Sequence, residues 1–188
     1  MNSGIDEIYT SSDDSILEIA RLNGSKTIIR PDVIANDLAT SESGWIHAIE
    51  NISNIDLYND WIFAPQLTSP IREPQDIKNG INLARSNKFD SIFSATKFED
   101  FFIWENKNNK FVSLNYDYKN RLRRQDIENH TYLENGSFYL FKPFGIKKFN
   151  NRLYGNIGIC EMDKTKIFQL DTPEDIKIIE SMIRALNI

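Results

Sequence analysis

The stretch Ile62–Ala84, "IFAPQLTSPIREPQDIKNGINLA", decides the fold class, because a strand-like apolar run leads through a short polar loop into a helical pattern. Pro74 suits the first turn of that helix, where proline loses no helical hydrogen bond. On both sides of it strand patterns alternate with helical patterns, which is typical of βαβ units and a mostly parallel sheet. Ligands of such sheets bind beyond the carboxyl ends of the strands, where Gln66 to Arg72 lie.

The rest of the chain extends this α/β pattern. The strand of the opening stretch is predicted to span Asp60–Leu67. We predict the other strands at Ile5–Ser12, Lys26–Pro31, Asp90–Phe98, Tyr132–Phe141 and Ile167–Leu170. Helices are expected at Asp13–Asn23, Ser41–Ile52, Glu73–Asn87 and Thr172–Leu186. They are capped by Asp13 or Asp14, by Thr40 or Ser41, and by Thr172. Residues 101–114 indicate a hairpin that turns at Asn106–Asn109. The interpretation is one domain, 1–188, with a small β-rich subdomain inserted at about residues 100–155.

Composition excludes several classes of protein. The net charge of −5 and the pI of about 5.1 argue against a broad nucleic-acid-binding face. No apolar run approaches the length of a membrane span, and the first residues do not resemble a secretory signal. The single cysteine, Cys160, excludes an internal disulfide and is typical of a small buried apolar group. We therefore expect a cytoplasmic protein without membrane or nucleic-acid partners.

The polar loop after the Ile62 strand has two interpretations. In the first, Thr68 and Ser69 satisfy backbone groups while Arg72 is solvated. In the second, the loop binds a ligand and Gln66 offers an amide that both donates and accepts hydrogen bonds. Composition does not separate the two.

A phosphate-binding loop at "NGSKT", Asn23–Thr27, is rejected. Such a loop follows a strand and precedes a helix, whereas here the order is reversed. Gly24 is better explained as the C-cap of the preceding helix. His47 and His130 lack Cys or Asp at ligand spacing, so they are interpreted as structural and no zinc site is predicted.

Two charged motifs keep alternatives open. In "KNRLRRQD" the three arginines, Arg121, Arg123 and Arg124, form either a solvated face or a site for a carboxylate or phosphate. In "FQLDTPEDI", Asp171 either holds Mg²⁺ together with substrate phosphate oxygens or only interacts favourably with the helix dipole.

Six segments, read in order, resemble one known family. They are "IYTSSDDSILEIARLNG", "IIRPDVIANDLATSESGWIHAIE", "PQLTSPIREPQDI", "RRQD", "NGSFYLF" and "LDTPEDI". Together they are similar to the acylneuraminate cytidylyltransferases and cover essentially the whole chain. The most specific marker is "QLTSPIR", in which Leu67 stands where the family commonly has proline.

The resemblance implies a Rossmann-like nucleotide-diphospho-sugar transferase fold and a homodimer joined through the inserted subdomain. It also implies an enzyme that transfers CMP from CTP to a nine-carbon 2-keto sugar acid, of sialic, legionaminic or pseudaminic type, with Mg²⁺ as cofactor. By position, Arg30 and Ser41 would contact the nucleotide and Gln66 the sugar. In the same way Arg124 would bind the sugar carboxylate, Asn135 would line the sugar pocket, and Asp171 would be the catalytic metal ligand.

The sequence departs from the family pattern in three ways. The first strand, phosphate-binding loop and helix of the family have no counterpart, which predicts an unpaired sheet edge beside exposed apolar surface. Gln169 replaces the first of two aspartates at the metal site, and one carboxylate is a poorer Mg²⁺ site than two. Leu133 replaces a second arginine found in some sialic acid enzymes, which favours a related sugar.

Three hypotheses follow from the resemblance and its departures. The chain is a cytidylyltransferase, or a catalytically inactive remnant that binds nucleotide, sugar or a partner, or a subunit whose partner supplies the first strand and loop.

Overall fold

The computed structural model describes residues 4–12, 14–36, 38–98, 102–127 and 130–186, apart from the side chains of Asp14 and Arg124. The strands of this part are β1 Tyr9–Ser12, β2 Lys26–Ile29, β3 Ile62–Pro65, β4 Ser91–Lys97, β5 Trp104–Lys107, β6 Lys110–Ser113, β7 Tyr132–Phe141 and β8 Ile157–Met162. The α-helices are α1 Asp14–Leu22, α2 Ser41–Glu50, α3 Pro74–Arg85, α4 Pro143–Phe149 and α5 Pro173–Leu186. Short 3₁₀ helices lie at Asp32–Ile34, Arg124–Asp126 and Lys164–Ile167.

The central sheet has the order β3-β7-β4-β8. β7 is antiparallel to both β3 and β4, while β4 and β8 are parallel, so three of the four strands point the same way. The predicted α/β fold is therefore confirmed. The bounds of β7 match the prediction, but this strand lies inside the main sheet and not in the inserted subdomain to which the sequence interpretation assigned it. The outer limits of that subdomain stay a prediction.

Helices cover both faces of the central sheet. Phe138 and Leu140 of β7 belong to one apolar cluster, in which they pack with Ala84 of α3. Tyr139 and Phe141 point to the other face and pack with residues of α2 and α4. Because both faces of β7 are covered, its last four residues, "FYLF", form a continuous run of apolar and aromatic side chains.

Cys160 of β8 behaves as the sequence predicted. It is 1% exposed, and burial raises the pKa of its thiol to about 11. The thiol is therefore a packing group and not a reactive one.

The helix caps follow the predicted chemistry. Thr40 caps α2 by accepting a hydrogen bond from Ser43 N–H. Pro74 is in the first turn of α3, where Glu73 and Asp76 form a reciprocal capping box. Gly24 ends α1 with a φ of 81°, which confirms the C-cap interpretation of "NGSKT". The predicted cap at Asp13 lies outside the described residues.

Two small sheets stand apart from the central one. β5 and β6 form the predicted hairpin, and Asn108 and Asn109 turn it with φ values of 53° and 63°. β1 and β2 form a parallel pair, and among the described strands β1, β2, β3 and β8 each keep one free edge. Apolar side chains near the β1–β2 pair are exposed, among them Ile8, Ile19 and Ile29. These observations agree with the expected unpaired edge beside apolar surface.

The strand predicted at Ile167–Leu170 is wrong. The chain forms a 3₁₀ helix at Lys164–Ile167 and then continues as an extended segment outside any ladder of the described strands. Asp163 starts that helix, because its carboxylate accepts hydrogen bonds from the N–H and hydroxyl of Thr165 at 2.9 and 2.7 Å. No helix of the described residues combines the length and apolar character that crossing a bilayer requires.

Candidate functional site

The loop after β3 is held by an internal arginine. The guanidinium of Arg72 donates to the carbonyl oxygens of Ser137, Gln66 and Ser69, at 2.5, 3.3 and 3.3 Å. Burial lowers the pKa of Arg72, and the nearby Asp76 carboxylate opposes that shift. The interpretation of Arg72 as a solvated residue is therefore wrong. Its role is to shape the loop that carries Gln66.

The loop is pressed against a bulge in β7. The register between β4 and β7 shifts so that Ser94 alone faces the residues between Glu134 and Tyr139. Asn135, in this bulge, is completely buried, and its Oδ1 accepts hydrogen bonds from Ser94 Oγ and Ser137 N–H at 2.6 and 3.1 Å.

The side chain of Asn135 is fully used inside the protein. Its Nδ2 donates to the carbonyl of Lys166 at 3.2 Å and contacts Met162 Sδ at 3.5 Å. In this geometry the hydrogen bonds of the Asn135 side chain stabilise the bulge. Its predicted contact with a sugar stays a prediction.

Three polar side chains converge on Gly136. This glycine has a φ of 65°, and a Cβ atom there would lie 2.7 Å from Gln66 Oε1, 3.1 Å from Ser69 Oγ and 3.3 Å from Gln169 Nε2. Glycine is required at this point by both backbone conformation and space. The structure thus brings the predicted residue Gln66 and Gln169 together at the backbone of Gly136, which is itself buried.

The segment that carries Asp171 runs along the same loop. The N–H of Leu170 donates to the carbonyl of Thr68 at 2.7 Å, and the amide of Gln169 donates to the carbonyl of Asn135 at 3.4 Å. Asp171 follows directly and is exposed. Gln169 and Asp171 are therefore held beside the loop that carries Gln66, and the roles of Gln66 and Asp171 toward sugar and metal stay predictions.

The metal-binding capacity of this neighbourhood is limited but fits Mg²⁺. In the part of the chain that the structure describes, no three His, Cys, Asp or Glu side chains cluster as ligands. The oxygen donors in this neighbourhood are Gln66 Oε1, beside Gly136, and the exposed carboxylate of Asp171, two residues after Gln169. Mg²⁺ is commonly held by one or two carboxylates together with substrate phosphates, so these oxygen donors suit it only when phosphate is bound.

A buried lysine fixes the position of this segment. Lys166 is 6% exposed, and its Nζ lies 2.6 Å from Glu73 Oε2 and 2.7 Å from Asp76 Oδ2. Burial alone would lower the pKa of Lys166, but the hydrogen bonds to Asp76 and Glu73 outweigh it and raise the pKa. Because the carbonyl of Lys166 also accepts from Asn135, one residue ties the segment to both α3 and the β7 bulge.

The two residues predicted to contact nucleotide lie around the start of α2. Arg30 donates to the carbonyl of Ser11 at 2.5 Å, and a Cβ on Gly44 would lie 3.3 Å from its guanidinium carbon. Ser41 is the first residue of α2 and is exposed. The structure therefore brings Arg30 to the first turns of the helix that Ser41 begins.

The three arginines of "KNRLRRQD" do not share one environment. Arg121 lies 4.1 Å from the centre of the Phe102 ring, and Arg123 pairs with Asp126 at 2.7 Å. Arg124 begins the 3₁₀ helix Arg124–Asp126, but its side chain lies outside what the structure describes. Its predicted contact with a sugar carboxylate stays a prediction.

Comparisons with known proteins bear on the fold and the family of this chain. No family model matches the chain. A solved structure of CMP:2-keto-3-deoxy-manno-octonic acid synthetase complexed with CTP superposes with a TM-score of 0.66 at 11% identity, over 98% of this chain and 83% of that one. The 2-C-methyl-D-erythritol 4-phosphate cytidylyltransferase of Francisella tularensis gives a TM-score of 0.65 at 14% identity, over 95% of this chain and 81% of that one. The fold is the Rossmann-like fold of nucleotidyltransferases.

A comparison of sequences is more specific than the comparison of folds. A curated N-acylneuraminate cytidylyltransferase of Oncorhynchus mykiss is 30% identical over 147 residues, which cover 76% of this chain and 33% of that protein. The chain belongs to the acylneuraminate cytidylyltransferase family. It spans about a third of the length of this relative, so activity, substrate and partners are treated below as proposals.

The buried lysine gives the first testable prediction. Replacing Lys166 with Met leaves Asp76 buried without its cation, so the free energy of unfolding should fall by about 3–5 kcal/mol in urea titrations. The exposed Lys164→Met variant is the matched control and should change it by less than about 0.5 kcal/mol. If the single variant does not fold, the double variant Lys166→Met with Asp76→Asn should recover most of the loss. Equal effects of both lysine variants would contradict the role of the buried ion pair.

The second prediction uses two glycines with positive φ. Gly24→Ala meets no atom within 4 Å, so it should cost only backbone strain, about 1–2 kcal/mol. Gly136→Ala adds a collision with Gln66 and should cost clearly more in the same urea titration. Identical losses for the two variants would show that the contacts around Gly136 are not as close as described.

Proposed function

We propose that this protein transfers CMP from CTP to a nonulosonic acid, with release of pyrophosphate, for the synthesis of cell-surface glycans. The observation that supports the proposal most directly is the convergence of Gln66, Ser69 and Gln169 on the buried Gly136, with the exposed Asp171 two residues after Gln169. The family relationship supplies the reaction class, and the sequence motifs that resemble nonulosonate enzymes supply the sugar. The cytoplasm, where CTP is made, is the proposed compartment.

The chemistry needs positioning and charge stabilisation more than covalent catalysis. The anomeric hydroxyl of the sugar acid attacks the α-phosphate of CTP, and the bond to pyrophosphate breaks. Gln66 would hydrogen-bond sugar hydroxyl or acyl groups. Its backbone carbonyl accepts from Arg72, and its side-chain Oε1 lies beside Gly136. Arg30 and the first turn of α2 would hold the nucleotide, since helix N-terminal N–H groups and a guanidinium both attract phosphate.

Two residues would act on charge. Arg124 would pair with the sugar carboxylate, which suits the planar fork of a guanidinium. Asp171 would hold Mg²⁺ together with phosphate oxygens, and Mg²⁺, when bound, neutralises charge that develops on the phosphates. With Gln169 beside it in place of a second carboxylate, we expect weak metal binding in the absence of CTP.

A non-catalytic binding role is the second candidate. It is favoured by the single carboxylate at Asp171 and by the absence of a three-residue acidic or histidine cluster among the described residues. The two candidates share nucleotide binding and differ in turnover.

The third prediction therefore separates binding from turnover. With Mg²⁺ present, CTP should raise the melting temperature of the purified chain, whereas UTP, GTP and ATP should not; ligand at 100 times its Kd stabilises by about 2.7 kcal/mol. Pyrophosphate release with N-acetylneuraminic acid then tests turnover, and Asp171→Asn should abolish it while exposed Asp117→Asn should not. A CTP shift without turnover of any nonulosonic acid would support the binding protein. Indifference to all four nucleotides would reject both candidates.

We also propose a homodimer formed through the β5–β6 ribbon. Phe111 of this ribbon is 70% exposed, and Trp104, Val112 and Leu114 are exposed beside it. A second copy of the chain would cover this apolar surface, as the family resemblance implies.

The fourth prediction concerns this ribbon. Phe111→Asp should convert a dimer to a monomer in light scattering after size-exclusion chromatography, because it places a charge in an apolar contact. Leu38→Asp, at a 93% exposed apolar residue elsewhere, is the control and should leave the dimer intact. A wild-type chain that is monomeric at tens of micromolar would reject the proposal.

A further inference from the structure

Arg152 lies in an unusually constrained setting outside the residues assigned so far. Its Nε and Nη2 donate to the two carboxylate oxygens of Glu42 at 2.7 and 3.1 Å. The same guanidinium carbon lies 4.8 Å from the ring centre of Trp45 and 4.6 Å from that of Tyr139. The planar guanidinium of Arg152 thus forms two hydrogen bonds along one edge and lies against two aromatic rings.

These contacts connect the two halves of the candidate site. On one side, Glu42 follows Ser41 in the first turn of α2, the helix against which Arg30 packs at Gly44. On the other side, Tyr139 belongs to β7, and its hydroxyl donates to Glu134, at the edge of the bulge that holds Gly136. Arg152 contacts both α2 and β7 and adds a charged link to the direct packing of Trp45 on Tyr139 and Phe141.

The charges in this network persist over the physiological pH range. Burial would raise the pKa of Glu42, but the hydrogen bonds from Arg152 outweigh it and lower the pKa. Burial and then the hydrogen bond to Glu134 raise the pKa of Tyr139 to about 12. The network is therefore a permanent structural link and does not titrate near neutral pH.

Lysine cannot reproduce this arrangement. Its ammonium is a compact charge without the planar fork, so it loses the two parallel hydrogen bonds and the stacking between the rings. The choice of arginine at position 152 is consistent with a need for fixed geometry more than for a positive charge.

We propose that Arg152 is a positioning residue that sets the first turn of α2 relative to the β7 bulge. This rests on the proposed function, in which α2 binds the nucleotide and the bulge faces the sugar. An in-line attack needs the reacting atoms about 3–3.5 Å apart, and a displacement of about 1 Å can cost about 100-fold in rate. A link between the two halves therefore acts on the reaction without touching either substrate.

The test compares Arg152→Lys with Arg184→Lys, a matched change at an exposed arginine of α5. The first readout is amide hydrogen exchange of the folded protein, measured without substrates. Arg152→Lys should speed exchange about tenfold or more in residues 41–46 and 134–139, while α3 and β4 stay unchanged. The second readout is steady-state kinetics, where kcat should fall about 10–100-fold and both KM values should change less. Arg152→Met, which keeps the apolar stem, serves if the lysine variant does not fold.

The outcomes are distinguishable. Faster exchange in both segments with a loss of kcat supports the proposal. Exchange that is unchanged, or that rises in one segment only or across the whole protein, overturns it whatever the kinetics show. If the wild-type chain neither binds CTP nor turns over, the proposed function fails, and faster exchange in both segments still supports Arg152 as the link between α2 and the bulge.

Discussion

The buried ion pair between Lys166 and Asp76 is the constraint on which the candidate site depends. Both side chains are nearly inaccessible, so each charge relies on the other, and Glu73 adds a second carboxylate at the rim. Asp76 is at the same time part of the capping box that starts α3. The pair therefore joins the start of a helix to a segment about ninety residues later, and the place of Gln169 and Asp171 follows from that junction.

The other side of the site depends on β7, which departs from regular pairing with β4 at the bulge. By bulging between Glu134 and Tyr139, β7 places the buried backbone of Gly136 against the side chains of Gln66, Ser69 and Gln169. Asn135 stabilises this departure from regular pairing by bonding across to Ser94 and Lys166. Bulges commonly redirect chains beside functional sites. Here the redirected chain meets a loop that Arg72 holds in shape, so a small number of internal polar contacts creates an accessible polar surface.

Local chemistry was predictable from the sequence, and long-range pairing was not. Thr40, Pro74 and Gly24 act through neighbours in the chain, so their roles at helix ends could be predicted, and the strand-like composition of "YLENGSFYLF" indicated the bounds of β7. The segment Ile167–Leu170 has the composition of a strand. Its conformation is instead set by the contacts of Lys166 and Asp163, and the hydrophobic periodicity of the sequence carries no information about such contacts. Family motifs indicated Gln66, Asn135 and Asp171. The structural roles of Arg72, Lys166 and Arg152 were not predicted, because in a sequence a buried arginine or lysine cannot be told from a surface charge until its partners are known.

The free edges of β1 and β3 have a consequence for how copies of this chain meet. An edge offers a row of backbone donors and acceptors to any extended chain. Pairing of β1 with β1, or of β3 with β3, repeats one surface on both molecules and closes a two-fold dimer. Pairing of β1 with β3 joins different surfaces and leaves one edge open at each end, so it propagates unless the rotation closes a ring. The same rule applies to the free edges of β2 and β8, so pairing of like edges ends in a closed particle and pairing of unlike edges can end in a fibre.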